Sequence, residues 1–328
     1  VGHCLWLIGG VDARAPTGAD DANPLLHAAS SVHYLDVRVA PAAWAGASCE
    51  HAGEAPPHAR SGHAAFVRGS SVWIFGGLSA TFEPLGDVHE LDTVTRAWTS
   101  RFINAAAAPA PRHAHSLSYD PVHDCALLFG GADAREQPLG DLWRLDPAAG
   151  AAGGNVTWGR VETHGVAPEA REMHAACIVQ VDAGRAAPSV LVVHGGRSKG
   201  TVLRDMWLLP TDTLAWQLVA THYARCSHGL SPWPLCSAYA ESAYLVSFGG
   251  FDGSRMHDSI LKVRLRRNAD GVPEADMEDV GADIKAETPG ERFAHAQASA
   301  AHAIYIFGGV SQSGSLGDTS RLDLKVQF

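Results

Sequence analysis

The stretch "VWIFGG", residues Val72–Gly77, decides how this chain reads. Four apolar residues, rich in β-branched and aromatic side chains, describe a buried strand. Two glycines, which weaken strands, close it. The same phrase returns as "LWLIGG" (5–10), "ALLFGG" (126–131), "LVVHGG" (191–196), "LVSFGG" (245–250) and "IYIFGG" (304–309). The pairs are Gly9 with Gly10, Gly76 with Gly77, Gly130 with Gly131, Gly195 with Gly196, Gly249 with Gly250 and Gly308 with Gly309, so their spacings are 67, 54, 65, 54 and 59 residues. A phrase recurring at that period marks an array of supersecondary units.

Residues 60–100 show one unit. "RSGHAAFV" opens it, "SSVWIFGG" is a second strand, and "LSATFEP" is a loop. "LGDVHELD" is a third strand, and "TVTRAWTS" turns into a fourth that carries Trp98. Four short strands separated by turn residues form one antiparallel sheet. The landmarks recur in fixed order. Arg-x-x-His appears at Arg60/His63, Arg112/His115, Arg171/His174, Arg225/His228 and Arg292/His295. An aspartate heads the third strand at Asp87, Asp141, Asp205, Asp258 and Asp318, and a tryptophan marks the fourth at Trp44, Trp98, Trp158 and Trp216.

These landmarks resemble the kelch repeat over essentially the whole chain. The resemblance implies an all-β fold: a six-bladed β-propeller of four-stranded antiparallel blades. Residues 1–328 are then one propeller, with blades at about 1–50, 51–104, 105–163, 164–221, 222–284 and 285–328. Blade 1 lacks its opening strand and blade 6 its last, so flanking sequence is expected, and a seventh blade is the alternative. The run "GVAPEAREMHAA" followed by "LRDMWLLPTDTLAW" is most like intracellular kelch propellers of the host-cell-factor type.

Within that frame three local readings are structural. The glycine pairs let a strand leave its sheet and admit bulky neighbours, expected to include the repeated tryptophans. The repeated aspartates are expected to accept hydrogen bonds from loop amides. The fifth unit, running on as "RLRRNADGVPEADMEDVGADIKAE", reads as an extended turn or insert without a tryptophan, and "PAAGAAGGN" (147–155) as a flexible tip.

Bulk chemistry narrows the function. The 328 residues are 46% hydrophobic with a net charge of −10, which supports a large core and disfavours general nucleic-acid binding. Six cysteines without CxxC spacing disfavour a zinc site and suit a reducing, intracellular compartment, cytoplasmic or nuclear. No apolar run reaches membrane-spanning length. No metal, cofactor or catalytic residue is expected. The 18 histidines include five from the repeat and show no HExxH, and the tyrosine–cysteine ligand set of kelch-fold copper radical oxidases is not assignable.

The resemblance implies a non-catalytic protein-interaction module, a scaffold or substrate-adaptor subunit. Its partner is a protein or peptide, with an acidic segment or terminal carboxylate favoured by arginines gathered at one mouth of a central channel. The candidate partner-binding residues are Arg60, Arg112, Arg171, Arg225 and Arg292 from the repeat. From the loops they are Phe82, Arg135, Arg197, Lys199, Trp233, Phe251, Arg255 and Met256. Arginine forks suit carboxylates, and loop aromatics anchor interfaces. The competing reading is that the repeated arginines brace their own blades. A small-molecule enzyme resembling sugar-acid mutarotases and a purely structural subunit are the alternative functions.

Overall fold

The computed structural model describes residues 3–11, 31–39, 43–51, 57–147, 156–181, 189–219, 221–233, 242–281 and 288–323. They form six blade sheets of a β-propeller, essentially antiparallel, and two small two-stranded ladders, with three blades in each of two compact units, Val1–Val161 and Glu162–Phe328. Helix is confined to one short 3₁₀ turn, Ala105–Ala107, among the described residues.

In the first unit, blade 1 contains Cys4–Ile8, Val32–Asp36 and Ala45–Gly46. Blade 2 contains Ala64–Arg68, Ser71–Phe75, Val88–Asp92 and Ala97–Arg101, with Glu50–His51 added in parallel beside the last. Blade 3 contains Ser116–Asp120, Cys125–Phe129, Leu142–Asp146 and Thr157–Arg160. In the second unit, blade 4 contains Ala175–Gln180, Ser189–His194, Met206–Pro210 and Gln217–Val219. Blade 5 contains Gly229–Pro232, Ser242–Phe248, Ile260–Arg267 and Pro273–Asp279. Blade 6 contains Ala296–Ala300, Ala303–Ser311 and Gly314–Leu322.

The second strands of blades 2, 3 and 4 are buried on both faces, which is why they read as continuous apolar runs rather than alternating ones, whereas Cys4–Ile8 in blade 1 is half-buried. Ile74 and Phe75 are fully buried in blade 2, as are Val190 to Val193 in blade 4. Phe66, Trp73, Phe75, Leu117, Leu128 and Trp158 share one cluster across blades 2 and 3. Val192, Met206, Leu208, Leu245, Val263 and Leu265 share another across blades 4 and 5.

The glycine pairs dock one blade onto the next. Both members have positive φ, 66° and 96° at Gly76 and Gly77. The second glycine donates its amide to the carbonyl of the following blade's repeated arginine. These bonds are Gly10 to Arg60 (2.9 Å), Gly77 to Arg112 (2.9 Å), Gly196 to Arg225 (2.7 Å) and Gly250 to Arg292 (2.8 Å). A Cβ on Gly76 would lie 2.6 Å from the Arg112 carbonyl oxygen and 2.9 Å from the His115 ring. In blades 2, 4 and 5 the ring before the pair completes the joint, His194 against His228 in blade 4. Phe75 meets His115 edge-on at 5.4 Å between ring centroids, and Phe248 meets His295 at 5.5 Å.

The second glycine is also pressed against the opening segment of its own blade. A Cβ on Gly131 would lie 2.6 Å from the His113 carbonyl oxygen and 2.7 Å from the His115 Cβ. A Cβ on Gly309 would lie 2.8 Å from the Phe293 carbonyl oxygen and 2.9 Å from the His295 Cβ. The expectation that the tryptophans crowd these glycines is therefore corrected. The close neighbours of Gly76, Gly131 and Gly309 are carbonyls and repeat histidines, while Trp98, Trp158 and Trp216 are buried without entering those contacts.

Blade 6 corrects the other half of that expectation. The second strand ends before the pair in blade 3, at Phe129 ahead of Gly130 and Gly131. In blade 6 the strand runs on through Gly308 and Gly309 to Ser311. The register shifts between Phe307 and Gly309, after which Gly309 pairs with Leu316 and Ser311 with Gly314. A bulge absorbs the bend there, so the chain returns as a hairpin instead of leaving the sheet.

Blade 5 corrects the reading of its second half as an insert. Ile260–Arg267 and Pro273–Asp279 pair in unbroken register from Leu261↔Asp279 to Arg267↔Pro273. Asn268 closes the turn, its side-chain oxygen accepting the Asp270 and Val272 amides. The fourth strand exists without a tryptophan; Met277 packs on the blade 4–5 cluster instead. Most of the tip read as flexible, residues 148–155, lies outside the described residues.

Candidate functional site

Four of the five repeated arginines make one buried motif. The Arg60 guanidinium donates to both carboxylate oxygens of Asp87 at 2.7 Å, to the Gly76 carbonyl at 3.0 Å and to the His58 carbonyl at 3.1 Å. Arg112 repeats this with Asp141 and the Gly130 and Ala110 carbonyls. Arg171 does so with Asp205, Gly195 and Glu169, and Arg292 with Asp318, Gly308 and Gly290. All four arginines are buried. A bidentate fork of this kind is the strong form of a charged hydrogen bond. The aspartates therefore accept from arginine, not from loop amides as expected. Burial alone would raise the carboxyls of Asp87, Asp141 and Asp205; the arginine forks outweigh it and hold all three below the usual range. At Asp318 the Arg292 hydrogen bonds are the leading cause of the same depression. A further donor two residues on secures three of the carboxylates: His89 on Asp87, Trp143 on Asp141 and Trp207 on Asp205. Sequence reading missed these three, although their constant offset from the aspartate was visible.

Blade 5 breaks the motif. In the intact blades the aspartate carbonyl accepts the first glycine's amide: Asp87 from Gly76, Asp141 from Gly130, Asp205 from Gly195. In blade 5 the carbonyl in that place, accepting from Gly249, belongs to Ser259. Register agrees, because Ile260 pairs with Phe248 as Val88 pairs with Phe75. Asp258 is thus one residue out of place and exposed, where Gly86 and Gly140 stand in other blades. It is not the fifth repeat aspartate.

Arg225 consequently has no carboxylate within ion-pair distance among the described residues. It is 5% exposed. One terminal nitrogen donates to the Ser259 hydroxyl at 2.9 Å and the other to the Ala224 carbonyl at 2.7 Å. Its Nε is buried and has no acceptor among the described residues. Burial pulls its pKa down, and Arg255 adds to that, while Asp252 and Asp279 oppose it. The side chain lines a cavity of about 610 Å³, together with His222, Tyr223, Arg255, Met256 and His257. At its edge Asp252 accepts from the Ser254 and Arg255 amides and from His257 at 2.8 Å.

The family model of the KLHDC2/KLHL20/DRC7 kelch-repeats domain matches residues 1–250. The chain belongs to the kelch-repeat family. This kelch chain is 29% identical over 257 residues to acyl-CoA-binding domain-containing protein 5 of Arabidopsis thaliana, covering 72% of the chain and 36% of that protein. It is 32% identical over 196 residues to human host cell factor 1, covering 56% of the chain and 9% of that protein. It is 27% identical over 216 residues to host cell factor of Drosophila melanogaster, covering 62% and 14%. The chain thus spans about a third or less of the length of these relatives.

The kelch loops distribute the remaining candidates. Arg255 and Met256 join Arg225 at the blade 5 cavity. Phe251 sits beside it, its ring 6.2 Å from Phe293. Phe82, Arg135 and Lys199 are exposed on separate turns, Phe82 and Lys199 with positive φ. Arg197 pairs with Glu172 through Nε at 3.0 Å and a terminal nitrogen at 2.6 Å. Trp233 lies in the core with Val246, Phe248 and Ile304. No described helix is long and apolar enough to cross a membrane.

Proposed function

We propose that this chain is a non-catalytic protein-interaction module, the recognition part of a scaffold or substrate adaptor, and that it grips a carboxylate of its partner at Arg225. The observation that carries the reading is the missing aspartate. Four blades supply their buried arginine with a carboxylate, and the fifth supplies a serine and a cavity. A buried guanidinium is costly to leave unpaired, so an incoming carboxylate gains the interaction that Asp87 or Asp141 provides elsewhere. A chain end and an Asp or Glu side chain both bring that group. Kelch-family membership supports the interaction role at the level of family. An intracellular setting, cytoplasmic or nuclear, belongs to the same proposal, in keeping with the free thiols of Cys4, Cys49, Cys125, Cys177 and Cys226.

The test is capture of a synthetic library of octapeptides, immobilised by their N termini, with an amidated, acid-free library as control. The expected result is retention of carboxylate-bearing peptides by the wild-type chain and their loss with Arg225→Gln, at unchanged circular dichroism. Equal retention of the uncharged amides, or indifference to Arg225→Gln, would sink the reading.

A further inference from the structure

The wall around Arg225 has the opposite sign to its floor. Four carboxylates line the cavity, from Asp252, Asp258, Asp279 and Glu291, against two guanidinium groups, from Arg225 and Arg255. Asp252 is committed to its turn and to His257, and Asp279 accepts the Gly281 amide at 2.9 Å. The Asp258 and Glu291 side chains have no hydrogen-bond or ion-pair partner among the described residues. Arg255 is itself 3.7 Å from Asp252 and mostly exposed, so the lining sets four carboxylates against one buried and one solvent-facing guanidinium. The cavity lining therefore offers one buried cation, Arg225, and two uncommitted anions closer to solvent, the exposed Asp258 and the half-buried Glu291.

Resting on the carboxylate reading of Arg225, we infer that the partner is a basic chain end: a free terminal carboxylate on a segment carrying lysine or arginine. The terminal carboxylate meets Arg225, and the basic side chains that precede it meet Asp258 and Glu291. An acidic segment presents the same carboxylate but carries further negative charge past the rim. Like charges facing each other across an interface select against the wrong partner and slow its association. The rim thus selects among carboxylate-bearing segments by the charge they carry beyond that group, and it selects against the acidic peptide expected from the sequence.

Four fluorescein-labelled octapeptides of Gly and Ser separate the outcomes by anisotropy on the intact chain. Two carry Lys at the third and fifth positions from the C terminus, two carry Glu there, and each is made as free acid and as amide. The expected order has the Lys free acid tightest, at least about tenfold over the Glu free acid at low salt, with the gap shrinking as the Debye length falls from ~10 Å at 0.1 M to ~3 Å at 1 M salt. The double variant Asp258→Lys/Glu291→Lys should remove or invert that preference. Both side chains are unpartnered among the described residues, so its melting temperature should match the wild type. If the Glu peptides bind as well as or better than the Lys free acid, the basic-end inference falls while the carboxylate reading survives. If the Lys amide equals the Lys free acid, or if no peptide binds, the grip at Arg225 falls and takes the inference with it.

Discussion

Arg225 and Ser259 stand 2.9 Å apart in the place where Arg60 and Asp87 form a double ion pair. One exchange, carboxylate for hydroxyl, turns a structural brace into an available charge. Ser259→Asp should reverse it. The restored fork should raise stability by roughly 1.5–3 kcal/mol, the range of hydrogen bonds to charged groups. It should also weaken binding of carboxylate-bearing peptides by about tenfold or more, since the internal aspartate competes. Urea denaturation and anisotropy on one preparation check both halves. A variant that gains stability yet binds normally would place the ligand away from Arg225.

The intact forks behave differently. Asp141→Ala leaves Arg112 buried and unpaired, which should cost about 3–5 kcal/mol. Trp143 also loses its acceptor. A shift of less than about 1 kcal/mol in urea would show that water replaces the carboxylate there.

Two glycines of similar φ separate backbone strain from close packing. Gly69 (φ 59°) has nothing within 4 Å of an added Cβ. Gly76 (φ 66°) has the Arg112 carbonyl at 2.6 Å. Gly69→Ala should cost only the left-handed penalty of about 1–2 kcal/mol. Gly76→Ala should add roughly 1–3 kcal/mol for the steric clash. Equal losses would contradict the blade-docking role of the pair.

The buried histidines set the response to acid. His194 Nε2 faces the Tyr223 carbonyl at 3.1 Å, so that nitrogen carries the proton. Its Nδ1 must then accept from His228 Nε2 at 3.0 Å, and both rings are neutral. Burial lowers His194 to about 4 and His174 to about 3, and sends His228 well below 6.5. Unfolded histidines take up protons near pH ~6.5 and the folded ones do not. Their stabilisation is therefore complete above about pH 6.5 and declines as pH falls toward 4. The depressed aspartates Asp141, Asp205 and Asp318 add a second loss below about pH 4, where unfolded carboxyls protonate. Urea midpoints at pH 8, 6.5, 5.5 and 4.5 should fall across the last three. His194→Phe, which installs the residue that Phe75, Phe129, Phe248 and Phe307 supply in other blades, should flatten that fall. Midpoints constant down to pH 4.5 would contradict the neutral buried pair.

The blade pattern was legible because its signals are local. Apolar runs such as Val72–Phe75 need only strand chemistry, and the glycines that follow need only a backbone that turns with positive φ. Repetition then did the rest, since six copies of one phrase leave few folds open. The copies are not equivalent in the folded chain: Gly131 follows a strand that has ended, whereas Gly309 lies inside one. The arginines were legible as a set, but not by role. Arg60 and Asp87 lie 27 residues apart and Arg171 and Asp205 lie 34 apart, so loop lengths hide a contact that the sheets make constant. Trp233 reads as a loop anchor in isolation and is core in the folded chain.

Blade 5 shows where linear reading stops. "HDSI" places Asp258 and Ser259 side by side, and either satisfies the spacing. A strand shifted by one residue turns each side chain to the other face. Only the pairing of Phe248 with Ile260 sets Ser259 toward Arg225 and Asp258 toward solvent. Chain chemistry alone was enough for the kelch blades, because each rests on neighbours within a few residues. Which arginine stays uncompensated, and what ring of charge surrounds it, depended on register across a sheet and on loops converging from distant positions.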